Sequence, residues 1–252
     1  FWIRLNHPLT VLKWYYFYVV ILFPLVLVAQ NQQTVKFSHL SLEDGLSQSV
    51  VFQTIQDKEG FLWFGTQDGL NKYDGYKFTV YRTIPNDTNS ISNICILSLL
   101  EDSNGDIWAG TRGGGLNRFD KRSARFSSFT NNQNDSQSLS NNTINCIVED
   151  KKGTIWVGTQ GGGLNQFNKR TGKFTTFLNE LGKNNCISSN IISSIVGDDS
   201  SNLWIGTIGG GLNFFDTKTH AFKHFLSDPN DPESLSNNNV KSILIDSYGC
   251  FW

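Results

Sequence analysis

Asp102-Ser103-Asn104-Gly105-Asp106-Ile107-Trp108-Ala109-Gly110-Thr111-Arg112-Gly113-Gly114-Gly115-Leu116-Asn117-Arg118-Phe119-Asp120 is the stretch that organises this chain, because everything after Gln33 is a series of copies of it. Its tryptophan recurs at Trp63, Trp108, Trp156, Trp204 and Trp252, in steps of 45, 48, 48 and 48. The Asp six positions earlier recurs with it, as Asp57, Asp102, Asp150, Asp198 and Asp246. A fixed period of this size marks stacked supersecondary units, none of which can bury its apolar face alone. The stretch is a structural repeat, not a catalytic motif.

Each copy parses into four short strands. In the third, Thr143 to Val148 alternates as a first strand, and Asp150-Lys151-Lys152-Gly153 is a tight turn in which Asp bonds its own backbone and Gly takes a positive φ. Thr154 to Thr159 is apolar on both faces, as a strand sandwiched between two layers must be. Gly161-Gly162-Gly163 then reverses the chain into Leu164 to Asn168, and a last turn leads to Lys173 to Phe177. No helical period appears after residue 33. From the fourth-strand Phe (Phe78, Phe126, Phe174, Phe222) to the next Asp is 24 residues every time, so the units follow one plan. The first copy is shorter because its turns are compressed to Asp68-Gly69 and Asp74-Gly75, both favourable two-residue hairpin turns.

Four-stranded units of ~40–50 residues predict an all-β protein, a β-propeller with about four and a half blades in this chain. The expected bounds are blade 1 at 46–81, blade 2 at 91–129, blade 3 at 139–177, blade 4 at 187–225 and the start of blade 5 at 235–252, within a propeller region of 35–252. Residues 35–40, Val35 to Leu40, read as an orphan outer strand, the latch of a closed ring. Trp63, Trp108, Trp156, Trp204 and Trp252 are the expected core, each filling the space between successive sheets, where an aromatic buries ~150–250 Å².

Before the repeats, Trp14 to Ala29 is uncharged and almost wholly apolar, with Arg4 and Lys13 ahead of it and a polar Gln30 to Gln33 run behind. Residues 1–30 therefore read as a signal peptide or an N-terminal membrane anchor helix, delivering the repeats outside the cytoplasm. The chain starts at Phe1, contains no Met and stops at Trp252 inside the fifth copy, so a piece of a longer protein is expected. With 21 basic and 22 acidic residues, the composition gives no electrostatic footprint for nucleic acid. Cys95, Cys146, Cys186 and Cys250 form no C-x-x-C pair. Cys95 and Cys146 would stand about three residues, ~10 Å, out of step on equivalent strands. That is too far for a bridge, so four free thiols are expected.

The motif Asp-x-x-Gly-x-(Ile/Leu)-Trp-x-Gly-Thr-x-Gly-Gly-Gly-Leu-Asn-x-Phe, as in Asp150 to Phe167, resembles the two-component regulator propeller repeats. So do the opening Leu42-Glu43-Asp44-Gly45-Leu46-Ser47 and the phrase Gly69-Leu70-Asn71-Lys72-Tyr73-Asp74-Gly75. The resemblance covers roughly residues 35 to 252, and copy four departs from it with Ser201 in place of the turn glycine. It implies a seven-bladed ring in the periplasmic sensor half of a hybrid histidine kinase of Bacteroidetes type. Such a parent would be held in the inner membrane, would act as a homodimer, and would carry its kinase elsewhere.

Other signals have plain readings. The triple glycines lack the Lys-Ser/Thr of a phosphate loop and read as hairpin turns. His220 and His224 have no third partner to make a metal site. Asp228, Asn230 and Asp231 lack the spacing of a calcium loop. No catalytic residue, metal or cofactor is expected, since the recurring Asp residues occupy the same turn in every copy. A ligand is best placed on the face shared by the loops from strand four to the next strand one and by the turns from strand two to strand three. There the one variable position of Gly-Thr-x-Gly holds Gln67, Arg112, Gln160 and Ile208, and a long Asn-rich loop holds Asn141 and Asn142. Gln67, Arg112, Gln160, Asn141 and Asn142 are the candidate ligand residues, suited to a small molecule or an oligosaccharide, including an acidic one. The function expected is sensing of a glycan or its breakdown product. The alternatives are an exported protein-interaction scaffold and a propeller enzyme.

Overall fold

The computed structural model describes residues 36–252. The signal or anchor segment of 1–30, and Val35 at the head of the latch, lie outside the described residues. The chain divides into two units, Phe1–His39 and Leu40–Trp252. All regular secondary structure among the described residues is strand, and it falls in the second unit.

Sixteen strands among the described residues form four antiparallel sheets of four, each in simple up-and-down order. The first holds β1 (Val51–Gln56), β2 (Leu62–Thr66), β3 (Gly69–Tyr73) and β4 (Phe78–Tyr81), and the second β5 (Ile96–Glu101), β6 (Ile107–Thr111), β7 (Leu116–Asp120) and β8 (Arg125–Phe129). The third holds β9 (Ile144–Glu149), β10 (Ile155–Thr159), β11 (Leu164–Asn168) and β12 (Lys173–Phe177), and the fourth β13 (Ile192–Gly197), β14 (Leu203–Thr207), β15 (Leu212–Asp216) and β16 (Ala221–Phe225). First strands neighbour one another from sheet to sheet, β1 against β5, β5 against β9 and β9 against β13. Sheets that meet through their first strands and pack face to face are the blades of a β-propeller. Of the fifth copy, Leu244 exchanges both backbone hydrogen bonds with Trp252, at 3.0 and 2.9 Å, and Ile245 bridges Phe251. Lys36 to Leu40, read as a latch, form no strand.

The tryptophans do the work their spacing predicts. Trp63 packs among Ile91, Ile96, Ile107 and Phe119 of the next blade, Trp108 among Leu139, Ile144 and Phe167, and Trp156 among Ile187, Ile192 and Phe215. All three are fully buried. At ~25 cal/mol per Å² over ~150–250 Å², each contributes roughly 4–6 kcal/mol before entropy is counted. Trp204 is only half-buried, its outer face meeting Phe251 at 4.6 Å between ring centroids. Trp252 is 76% exposed, because its short hairpin has no further sheet beside it among the described residues.

Each buried Trp is held from behind by the recurring Asp. Asp57 Oδ1 accepts the amides of Glu59 and Phe61 at 3.0 and 2.9 Å, closing the turn, while Oδ2 accepts Trp63 Nε1 at 2.8 Å. The same indole bond recurs at 3.0 Å from Trp108 to Asp102 and from Trp156 to Asp150, and at 2.9 Å from Trp252 to Asp246. Blade four breaks the pattern: Asp198 Oδ2 takes the Asn202 side-chain amide at 3.3 Å. Ser201, where the other copies have glycine, keeps the turn with a φ of 65°.

A second buried set joins blades. Lys121 Nζ donates to Asp57 Oδ2 of the previous blade at 2.8 Å and to Glu101 Oε1 of its own at 2.9 Å. Lys169 repeats this with Asp102 at 2.8 Å and Glu149 at 2.7 Å. Burial alone would push Asp57 and Asp102 up, but the lysine, the indole and the turn amide together hold both below the ordinary carboxylate value. The lysines, which burial would push down, are raised by their two carboxylates. Between blades three and four the set is gone. Gly197 replaces the Glu and Thr217 the Lys, its hydroxyl donating to the Ser201 carbonyl at 3.0 Å. An exposed Lys151–Asp199 pair stands nearby.

The long loops also strap the outer strands. Asn89 and Gln137 offer their carbonyls to the amides of Phe126 and Phe174 at 3.0 and 2.8 Å, and the Asn185 side chain does so for Phe222 at 2.8 Å. Three edge amides that could template pairing with another chain are thereby used.

Candidate ligand-binding face

The variable turn residues are presented by backbone that the fold has fixed. In blade two, Thr111 Oγ1 donates to the Gly115 carbonyl at 2.8 Å and accepts the Gly114 amide at 3.0 Å, locking the reversal. Gly115 has a φ of 79°, and a Cβ on it would sit 2.2 Å from the Phe129 carbonyl, so this turn needs glycine for space as well as conformation. The triple glycines are hairpin turns. The amide of the variable residue is tied to the carbonyl just ahead of the first strand of its own blade: Gln67 to Val50 at 3.2 Å, Arg112 to Cys95 at 2.9 Å, Gln160 to Thr143 and Ile208 to Ile191 at 3.0 Å. The side chains of Gln67, Arg112 and Gln160 are left exposed, while Ile208 is half-buried.

Arg112, Gln160, Asn141 and Asn142 come together around Thr143, which bridges Arg112 from the neighbouring blade and accepts the Gln160 amide. Gln67 holds the equivalent turn position in blade one, its amide on the Val50 carbonyl. The two asparagines are occupied. Asn141 Oδ1 caps the Thr143 amide at 2.8 Å, and Asn142 Oδ1 accepts the Asn131 amide at 2.7 Å. The Asn142 carbonyl also takes the amides of Gly113 and Gly115 at 3.0 and 2.8 Å, stitching blade two to blade three. Asn190 and Asn238 repeat the Asn142 side-chain bond, at 2.7 Å each, and both accept glycine amides of the preceding turn. An asparagine recurring at 48 residues is a part of the repeat, and that recurrence was visible in the sequence.

The residues sequence reasoning missed lie on the inner strands. Each has a register break at its second position, between Val51 and Gln53, Ile96 and Ser98, Ile144 and Cys146, and Ile192 and Ser194. A bulge re-aims the skipped side chain, here Phe52, Leu97, Asn145 and Ser193. Asn145 Nδ2 donates to Gln160 Oε1 and to the Ile192 carbonyl of the next blade, both at 2.8 Å. The Arg112 guanidinium lies 5.6 Å from the centroid of the 40% exposed Phe52 ring, in the range of a cation–π contact.

The remaining motifs are accounted for locally. All four cysteines are free. Cys146 is half-buried as a residue, but its sulfur is enclosed against Gly158, and burial pushes the thiol up to about 12. His220 stacks on Phe215, and His224 Nε2 bonds the Cys186 carbonyl at 2.7 Å. Asp228 and Asp231 cap the turn amides of Asn230 and Glu233 at 2.9 and 3.0 Å. Among the described residues no group of three His, Cys, Asp or Glu side chains is placed to hold a metal ion.

Comparison with known proteins is consistent with this geometry. The sequence model of the family described as two component regulator propeller matches residues 45–68, 90–113 and 138–161, each running from the start of a copy through its second strand to the turn. The chain carries two-component regulator propeller repeats. The chain is also 49% identical over 75 residues to Histidine kinase P4 of Formosa agariphila, a match spanning 29% of this chain and 6% of that protein. Among solved structures, the extracellular domain of a putative hybrid two component system from B. thetaiotaomicron is 25% identical, with a TM-score of 0.55 over 85% of this chain and 40% of that one. Virginiamycin B lyase from Staphylococcus aureus aligns with a TM-score of 0.60 over 84% of this chain and 64% of that one, at 16% identity, a likeness of fold alone. The chain thus spans well under half the length of the two signalling relatives.

Proposed function

We propose that this chain is the extracytoplasmic ligand-sensing region of a two-component signalling protein, a hybrid histidine kinase of the inner membrane whose propeller lies in the periplasm. The observation that carries the reading is the coincidence of three family repeats with a 25% identical solved extracellular domain of a putative hybrid two component system. In this reading the propeller region is non-catalytic and the kinase lies elsewhere in the parent, which works as a homodimer. The ligand is a glycan or a breakdown product of one, bound on the face that holds Gln67, Arg112 and Gln160. Exposed, variable side chains on a rigid repeated scaffold suit such a grafted site. Asn141 and Asn142 contribute there through their amide NH2 groups, since their oxygens are used.

The test is calorimetric titration of the whole chain against neutral and acidic oligosaccharides. Saturable binding that is weakened by changing Arg112 or Gln160 is expected. No binding anywhere in the panel, together with stable capture of a folded protein partner, would establish the scaffold alternative instead.

A further inference from the structure

The four copies are an alignment within one chain, and it separates positions fixed by the fold from positions free of it. Counting from the Leu-Ser or Ile-Ser pair that opens each copy, the sixth residue is always a β-branched aliphatic, Val51, Ile96, Ile144 or Ile192. The third caps a following amide in every copy, as Asn93 does for Cys95 at 2.8 Å and Asn141 for Thr143. The seventh shares no chemistry at all: an aromatic ring, an aliphatic chain, an amide and a hydroxyl at Phe52, Leu97, Asn145 and Ser193. This is the bulged residue of each inner strand. The turn position also varies, as Gln67, Arg112, Gln160 and Ile208, and the two columns touch, Arg112 on Phe52 and Gln160 on Asn145.

What these contacts leave unused defines a ligand. Arg112 has no carboxylate within ion-pair distance among the described residues. A guanidinium resting on an aromatic face keeps its planar N–H fork available, and that fork matches a carboxylate with two parallel bonds. Asn145 uses only its Nδ2, and Gln160 only its Oε1. Asn145 Oδ1 and Gln160 Nε2 are therefore left as an acceptor and a donor on two side chains in contact, suited to a hydroxyl. The backbones of Arg112 and Gln160 flank Thr143 on its two sides, about two strand spacings or ~10 Å apart, a span that a disaccharide bridges.

We infer that the bulged inner-strand residues and the turn residues form one specificity row, and that its ligand carries a carboxylate, held by Arg112, and hydroxyls held by the Asn145–Gln160 pair. This rests on the ligand-sensing reading above and adds the charge of the ligand and the residues that select it. Leu97 and Ser193 extend the row and set what else the ligand carries.

The experiment titrates the whole chain with uronate-containing disaccharides, each paired with the neutral disaccharide of the same linkage. A charge-assisted bidentate contact at a partly solvated site is expected to favour the acidic member by roughly 10- to 100-fold. Arg112→Gln should bring the acidic member down to the affinity of its neutral partner, and Arg112→Lys should restore part of the preference. Asn145→Ala should weaken both members alike. Because the Arg112 side chain is exposed, thermal unfolding of Arg112→Gln should match the parent. Binding that ignores the carboxylate, or a preference that survives Arg112→Gln, overturns the inference while leaving ligand sensing intact. Binding of no disaccharide of either kind overturns both.

Discussion

Replacing Lys169 by Met keeps the unbranched side chain but for its terminal atom and removes the charge that joins blades two and three. Its ammonium sits 2.8 Å from Asp102 Oδ2 and 2.7 Å from Glu149 Oε1, with the Asp102 side chain 1% and the Glu149 side chain 12% exposed. Deleting one partner of a fully buried ion pair costs ~3–5 kcal/mol, mostly because an uncompensated charge is left behind. Here the Lys169 side chain is 25% exposed, so water partly takes the place of its ammonium. Asp102 also keeps its bond to the Trp108 indole and two turn amides. A loss of about 2–3 kcal/mol is therefore expected, a large part of the ~5–15 kcal/mol that holds a typical domain. At ~2–4 °C per kcal/mol for a chain of this size, the thermal midpoint should fall by about 4–12 °C. The assay is paired thermal and urea unfolding of the parent, Lys169→Met, Glu149→Gln and the double variant. The cycle should give a coupling of at least ~1 kcal/mol between the two residues. A Lys169→Met variant within ~0.5 kcal/mol of the parent, or additive single changes, would mean that the seams are held by apolar packing alone.

Three further outcomes follow from the same geometry. Gly158→Ala places a Cβ 2.5 Å from Cys146 Sγ and 2.6 Å from Ile192 Cγ2, so it should cost ~1–3 kcal/mol by overpacking the seam; Gly161→Ala, strained at φ 102° but in open space, should cost only ~1–2 kcal/mol, and urea midpoints of the two should rank that way. Ala124 holds a left-handed φ of 54° where the next blade has Gly172 at 71°, so Ala124→Gly should raise stability by roughly 0.5–1 kcal/mol, and a fall in the melting temperature would contradict this. Asp57 and Asp102 have folded values held below the ordinary 3.8, so their contribution is complete above that pH and is lost as pH falls through the folded values; unfolding midpoints measured from pH 7 to 2 should drop mainly below about pH 4, and the drop should be shallower in a Lys121→Met, Lys169→Met variant.

How much of this was legible in the sequence depended on whether a residue's role repeats. The strand pattern, the Trp packing and the Asp turns each recur with identical chemistry, so a period of 48 was enough to place them, and Leu164–Asn168 and Lys173–Phe177 match their expected bounds. The Asp–Lys–Glu sets were equally periodic, at Glu101 and Glu149 and at Lys121 and Lys169, but their partners lie in different blades. Only packing shows that a lysine in one turn reaches the aspartate of the blade before it.

The candidate site was half legible for the opposite reason. Variation at one turn position flagged Gln67, Arg112 and Gln160. The bulged column did not register, because an extra residue in a strand leaves no mark in composition or alternation until the partner strand is seen. Asn141 and Asn142 are polar residues in a long loop whose oxygens the structure uses for its own amides, which leaves their NH2 groups for a ligand. In a repeat protein the useful test for a binding residue is therefore failure to repeat, taken together with exposure. Phe52 and Arg112 pass on both counts, while Asn190 and Asn238 stand where Asn142 stands, so that its oxygen serves the fold in each of these copies.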